Sequence, residues 1–272
     1  MSVKIEPSGR RSIQVEVEVP GTPEEVWQAI ATGPGISSWF VPAAFEERDG
    51  KPVAVTLNFG PGMDSRSTVT AWDPPRTFAA EAPGWLPGSP AIADEWTVEA
   101  RSGGTCIVRI VHSLFASTDD WDSQLTGTES GWPAFFRILR LYLTHFRGQR
   151  STPMQWIAQA QGTVDEAWDA LTGSLGLRGV RAGQRWTAPA DVPALAGVVE
   201  HVADRPFNIL LRLDEPGPGA VAVGAVNHGG TMITLSFYLY GDRAEATVAR
   251  EKERWDAWIH QRFPMPSAPT PC

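Results

Sequence analysis

The segment Gly21-Thr22-Pro23-Glu24-Glu25-Val26-Trp27-Gln28-Ala29-Ile30 returns in altered form as Gly162-Thr163-Val164-Asp165-Glu166-Ala167-Trp168-Asp169-Ala170-Leu171. The two copies stand 141 residues apart (162 against 21), about half of the 272-residue chain. A period that long does not build a solenoid; it duplicates a domain. Both copies spell the start of a helix. Thr22 and Thr163 are N-caps, Glu25 and Glu166 complete capping boxes three residues on, and Pro23 occupies the first helical position, where its missing N–H costs nothing. A second anchor repeats as well: Gly103-Gly104-Thr105-Cys106-Ile107-Val108 matches Gly229-Gly230-Thr231-Met232-Ile233-Thr234, both read as hairpin turns. Here the spacing is 126 (229 against 103), so the second copy is 15 residues shorter between its anchors (141 against 126).

Hydropathy patterning fills in the elements. Ile13, Val15, Val17 and Val19 alternate with Gln14, Glu16 and Glu18, a half-buried strand. After the first helix come a Gly-Pro-Gly break and a short helical turn ending in Trp39-Phe40. Strands follow near Ala44–Arg48, Val53–Phe59, Arg66–Trp72, Thr77–Glu81, Ala93–Arg101 and Thr105–Phe115, separated by turn chemistry such as Asp49-Gly50 and Asp73-Pro74-Pro75. The period then changes. Trp132, Phe135, Phe136, Leu139, Leu143 and Phe146 lie on one face of a long helix, with Asp119–Asp122 before it and Arg137, Arg140 and Arg147 toward its C-terminal end, as the helix dipole favours. Residues Arg147–Pro153 read as a linker. The second half repeats the plan from strand Met154–Ala160 to a final helix over about Arg243–Phe263, and the Pro-rich Pro264–Cys272 reads as a disordered tail.

This order predicts an α+β fold: two tandem domains, 12–148 and 154–263, each a curved antiparallel sheet wrapped around a long C-terminal helix. A sheet gripping a helix leaves a cavity wherever facing side chains do not meet.

Composition narrows the function. The net charge of −8, with a pI near 5.2 and no basic cluster beyond the Arg137–Arg150 helix face, argues against nucleic acid and anionic membranes. No apolar run reaches the roughly 20 residues of a spanning helix, and Met1–Arg11 is not a signal peptide. With only Cys106 and Cys272, a cytoplasmic protein with free thiols is the simplest reading. His112, His145, His201, His228 and His260 form no metal-ligand spacing, and no nucleophile elbow, phosphate loop or dinucleotide fingerprint is present, so neither metal nor cofactor is expected.

Twelve Trp against three Tyr implies heavy use of indoles in a core or around a cavity. The candidate ligand-binding set is Trp39, Phe40, Phe59, Trp72, Trp85, Trp96, Trp132, Phe135 and Phe136, with His112 as its polar member. The loop Ala82–Pro90, carrying Trp85-Leu86 among three prolines, reads as a cover over that cavity. In its strand His112 shares a face with Val108 and Ile110, opposite Arg109; if Arg109 meets water, His112 points inward, able to orient a ligand or move a proton. The plain alternatives are an aromatic core and a histidine bonded to Ser113 or a nearby turn. Asp94 and Glu95 flank Trp96, and only one of them can face inward.

The chain resembles the START-like helix-grip superfamily (SRPBCC), and within it the branch of the activator of the heat-shock-protein-90 ATPase. The resemblance runs over about residues 12–148, on Thr22-Pro23-Glu24-Glu25-Val26-Trp27, Trp39-Phe40, Val69-Thr70-Ala71-Trp72-Asp73-Pro74-Pro75-Arg76, Glu95-Trp96-Thr97-Val98, Gly103-Gly104-Thr105, Val111-His112-Ser113-Leu114-Phe115 and Gly131-Trp132. The copy at 154–263 departs further and lacks a Trp39-Phe40 counterpart. The resemblance implies ligand carriers, aromatase/cyclases, stress proteins and chaperone activators, all using the groove between sheet and helix; fold alone does not choose among them. The leading expectation is binding of a small hydrophobic or aromatic molecule by the first domain without catalysis, the second domain being structural. The rivals are a cyclase- or hydrolase-like enzyme using His112 with Asp94 or Glu95, and a module acting on a chaperone ATPase, whose protein partner the sequence does not name.

Overall fold

The computed structural model describes residues 3–5, 10–60, 62–84, 90–115, 122–204, 207–227 and 229–263, with backbone alone for 122–130 and 204. Trp85, most of the loop around it, and the tail 264–272 lie outside the described residues. The chain divides into two compact units, Met1–Arg150 and Ser151–Cys272.

The first unit runs β1 (Lys4–Ile5), β2 (Arg10–Pro20), α1 (Pro23–Ile30), α2 (Gly33–Ser37), β3 (Ala43–Arg48), β4 (Lys51–Asn58), β5 (Asp64–Asp73), β6 (Thr77–Ala82), β7 (Ile92–Arg101), β8 (Thr105–Phe115) and α3 (Asp122–His145). Its eight-stranded antiparallel sheet is ordered β1-β2-β8-β7-β6-β5-β4-β3. Successive strands from β3 to β8 are neighbours, and β8 closes on β2. The helix α3 packs along β2, its Trp132 and Phe136 meeting Trp96 of β7. The helix begins well before Trp132, with Asp122 as its first residue and not a residue ahead of it.

The second unit runs β9 (Ser151–Gln159), α4 (Val164–Ser174), β10 (Arg185–Thr187), β11 (Ala196–Asp204), β12 (Phe207–Glu215), β13 (Gly219–Asn227), β14 (Thr231–Tyr240) and α5 (Ala244–Arg262), with sheet order β10-β11-β12-β13-β14-β9. Ser151–Pro153, which read as linker, are the first residues of β9. Strand for strand this is the order of the first unit with β1, α2 and β3 missing; α2 and β3 lie between the repeated anchors, where the second copy is shorter. Each unit is thus an antiparallel sheet with a C-terminal helix packed on it, α+β in class; Trp255 of α5 meets Trp156 of β9 and Phe237 of β14.

Local chemistry explains the entry into each unit. Thr22 is extended at φ −78°, ψ 162°; its hydroxyl accepts from Glu25 N–H at 3.3 Å, while Thr22 N–H donates to Glu25 at 2.9 Å. Thr163 and Glu166 repeat both bonds at 3.2 and 2.7 Å. Gly21, at φ +129°, donates its N–H to Gly104 O in the β7–β8 turn. Gly162 likewise accepts from the Thr231 hydroxyl at 2.8 Å, beside the β13–β14 turn. The two repeated sequence anchors therefore touch each other in both units.

Candidate functional site

The strands β7 and β8 turn alternate residues toward α3: Ile92, Asp94, Trp96 and Val98 from one, Val108, Ile110, His112 and Leu114 from the other. Asp94 and His112 are directly opposed, as are Trp96 and Ile110. The imidazole of His112, 8% exposed, donates through Nδ1 to Asp94 Oδ1 at 2.6 Å. Ile13 of β2 flanks it on the other side. Arg109 faces outward and donates to Glu16 at 3.2 Å, Glu95 faces outward and is exposed, and Ser113, buried on the face opposite His112, accepts from Arg10 at 3.0 Å. The register thus selects Asp94 over Glu95, and His112 is bonded to Asp94, not to Ser113. Among the described residues, no protein group is bonded to Nε2 of His112.

Trp96, two residues from Asp94 on the same face, anchors a ring cluster. Its centroid lies 5.2 Å from Trp132 and 6.0 Å from Phe136, and Trp39 is 6.4 Å away, all edge-on. Trp39 stacks on Phe40, and Phe40 meets Phe135 at 4.6 Å, Trp132 at 5.5 Å and Phe59 at 5.9 Å. Edge-to-face pairs of this kind add roughly 0.5–1.5 kcal/mol each beyond the area they bury. Trp39 is also a bracket between the first two helices, since its indole donates to Ala29 O at 2.9 Å. Trp72 stands apart, against Trp27 at 5.1 Å, and among the described residues joins the cluster through Phe78, which stacks on Trp96. Trp27, Phe45 and Phe78 were not among the candidate ligand residues. Phe78 could have been, because it stands directly across the β6–β7 ladder from Trp96.

Exposure grades through the cluster. Trp39 and Phe136 are each 1% exposed, whereas Phe40, Phe59 and Phe135 are half-buried and form its solvent-facing rim. The rings meet across the gap, so side chains occupy this part of the space between sheet and helix. A groove of about 430 Å³ lies elsewhere in the unit, between α1, α2 and the end of α3, and none of the ten candidate residues lines it. Arg147 bonds Glu25 there at 2.6 Å. The second unit carries a groove of about 280 Å³ beside Trp258.

The second unit offers an internal comparison. Ile13 and Met154 are 141 residues apart, like the helix motifs; Ile13 pairs with His112 and Met154 with Phe237. The counterpart of His112 is therefore Phe237, one residue off the Gly-Gly alignment, and a one-residue slip changes which side chains face the core. Phe237 pairs with Val221, the counterpart of Asp94. Val223 likewise replaces Trp96. An acid–imidazole pair beside an indole has become three apolar residues within a continuous core.

Among the described residues no three His, Cys, Asp or Glu side chains converge as metal ligands, and no helix is long and apolar enough to cross a membrane. No curated protein matches the sequence. Among solved structures, the di-domain ARO/CYC BexL from the BE-7585A biosynthetic pathway is 16% identical, with a TM-score of 0.44, covering 93% of this chain and 95% of its own. CalU16 from Micromonospora echinospora is 19% identical (TM-score 0.42, 53% of this chain, 83% of its own). The Aha1 dimer from Colwellia psychrerythraea is 21% identical (TM-score 0.39, 50% and 98%). Residues 10–144 match the family described as polyketide cyclase / dehydrase and lipid transport. On that match, and on the sheet-and-helix architecture of the same residues, the first half of the chain belongs to this family of the START-like helix-grip (SRPBCC) superfamily.

Proposed function

We propose that the first unit binds a small, largely apolar molecule against the Trp96–Trp132–Phe136 cluster, and that His112 supplies its polar contact. The observation that carries this reading is the 2.6 Å bond to Asp94, which fixes the imidazole through Nδ1 and leaves Nε2 to accept from a ligand hydroxyl, on the face that carries Trp96. Apolar contact would contribute roughly 25 cal/mol per Å² of buried surface, and the single hydrogen bond about 1 kcal/mol, so the rings set affinity and His112 sets orientation. A family that spans cyclases, dehydrases and lipid transport is consistent with such a ligand. The second unit, with Phe237, Val221 and Val223 in the corresponding positions, is structural.

A second reading is favoured by the same pair. A carboxylate holding an imidazole is the arrangement that moves protons: Nε2 would take a proton from carbon next to a ligand carbonyl, and return it to a departing hydroxyl as water leaves. One experiment separates the two. Tryptophan fluorescence would follow binding of naphthalene and of 2-naphthalenemethanol, and absorbance would follow water loss from an aromatic β-hydroxy ketone. In the binding reading, His112→Phe keeps naphthalene affinity within about tenfold and erases the advantage of the hydroxyl probe, about fivefold for one hydrogen bond. Trp132→Ala weakens both probes. Absence of binding by both probes would sink the proposal, and a turnover abolished in His112→Phe would establish the second reading in place of the first.

A further inference from the structure

The strand β9 ends the second sheet, with β14 on one side only. Ala160 N–H donates to Thr231 O at 2.9 Å, which fixes the phase of the ladder: even-numbered residues of β9 bond to β14, and the odd-numbered ones turn their N–H and C=O groups away. Among the described residues no backbone hydrogen bond reaches Gln155, Ile157 or Gln159 from that free side. Gln155 and Gln159 are exposed, and Ile157 is 36% exposed, one of few large apolar residues on the surface. Pro153 stands on the same side and has no N–H to offer, which marks where pairing must stop.

An edge like this invites another strand, and proteins usually guard it with charge. The equivalent strand of the first unit is guarded: β2 presents Glu16 and Glu18 outward, and β1 pairs with part of its edge. Residues 151–161 carry no charged side chain, in a chain whose net charge of −8 otherwise repels its own copies. The segment is also self-complementary. Reversed upon itself about Ile157, it sets Ile157 against Ile157, Gln155 against Gln159, and large Trp156 against small Ala158. Apolar meets apolar and amide meets amide on one face, while bulk meets space on the other.

We infer that β9 pairs antiparallel with β9 of a second copy, centred on Ile157, so that the chain forms a two-fold dimer. The interface is isologous, as closed symmetry requires, and would add about six main-chain hydrogen bonds, two for each opposed pair of odd residues.

The test uses the full chain. Light scattering coupled to size exclusion should show mass rising with concentration from 29.6 kDa toward twice that value. Ile157→Lys places like charges opposite each other, and Ile157→Pro removes an outward N–H without touching the β14 ladder. Each should weaken association by at least about tenfold with an unchanged far-ultraviolet spectrum. Hydrogen exchange of the wild-type chain supplies a measurement independent of both variants. The amides of Gln155, Ile157 and Gln159 should gain protection as concentration rises, while those of Met154, Trp156 and Ala158 stay protected throughout. A chain that remains monomeric, or a dimer that forms with those three amides still exchanging freely, overturns the inference.

Discussion

The contact between Asp94 and His112 is the smallest feature on which the functional reading turns. Sequence could place His112 on the inward face, because Val108 and Ile110 share its parity, but could not choose between Asp94 and Glu95. That choice depends on the β7–β8 register, set by a Gly-Gly turn whose exact pairing adjacent residues do not encode. The aromatic residues were legible as a group for a simpler reason, since Trp at this density must go inside. Whether their rings would meet was not, because meeting depends on the gap between α3 and the sheet. If Asp94 acts only by holding the imidazole, its effects are not independent of His112. Asp94→Asn should therefore reduce discrimination of the hydroxyl probe by a few-fold in the wild-type background and leave it unchanged in His112→Phe. Equal losses in both backgrounds, measured by the same fluorescence titration, would mean that Asp94 contacts the ligand itself.

At the level of elements, the helix starts were the most legible parts, because capping boxes are local chemistry. Glu25 is held below the usual carboxylate value of 4.5, first by the backbone N–H of Thr22 and then by Arg147, and Glu166 is lowered by the backbone and hydroxyl of Thr163. A depressed folded-state pKa stabilises above the unfolded value and loses that contribution as pH falls through the depressed one. Stability should thus decline as the solution is acidified below about pH 4.5. Glu25→Gln and Glu166→Gln, followed by urea unfolding across that range, should each flatten the decline; identical pH profiles would remove the caps from the account. The contact between the first two helices was not legible. A Cβ on Gly35 would overlap the carbonyl oxygen of Gln28 and press on Ala29, so Gly35→Ala should cost about 3 kcal/mol. An unchanged urea midpoint would show that α1 and α2 can separate without loss. Sequence read the Gly-Gly anchors one residue out of step, because matching letters at a turn do not report which side chains face the core.

For the whole molecule, duplication was evident from the repeat, while the division of labour between copies became visible only through register. With Phe237, Val221 and Val223 standing where His112, Asp94 and Trp96 stand, the second unit has neither the polar contact nor the indole. Isothermal titration with 2-naphthalenemethanol should accordingly give one site per chain. Two equivalent sites would reverse the assignment of roles.

The pairing of each sheet's last strand with the strand that precedes the unit's first helix has a consequence for how the chain reaches its fold. Hairpins from β3 to β8 can form as soon as their turns exist, but β2 must wait until β8 is available, with 93 residues separating Glu16 from the Arg109 that bonds it. Such distant pairing is slow, since loop-closure entropy is lost before any contact repays it. During that wait a rival is close at hand. The strand β9 plays the same part in the second copy as β2 does in the first, and it follows β8 after residues 116–150, which include α3. Tandem copies always carry this danger of pairing across the repeat. Arg109 helps to discriminate between the two: it finds a carboxylate in Glu16 of β2, whereas the uncharged β9 has none to offer.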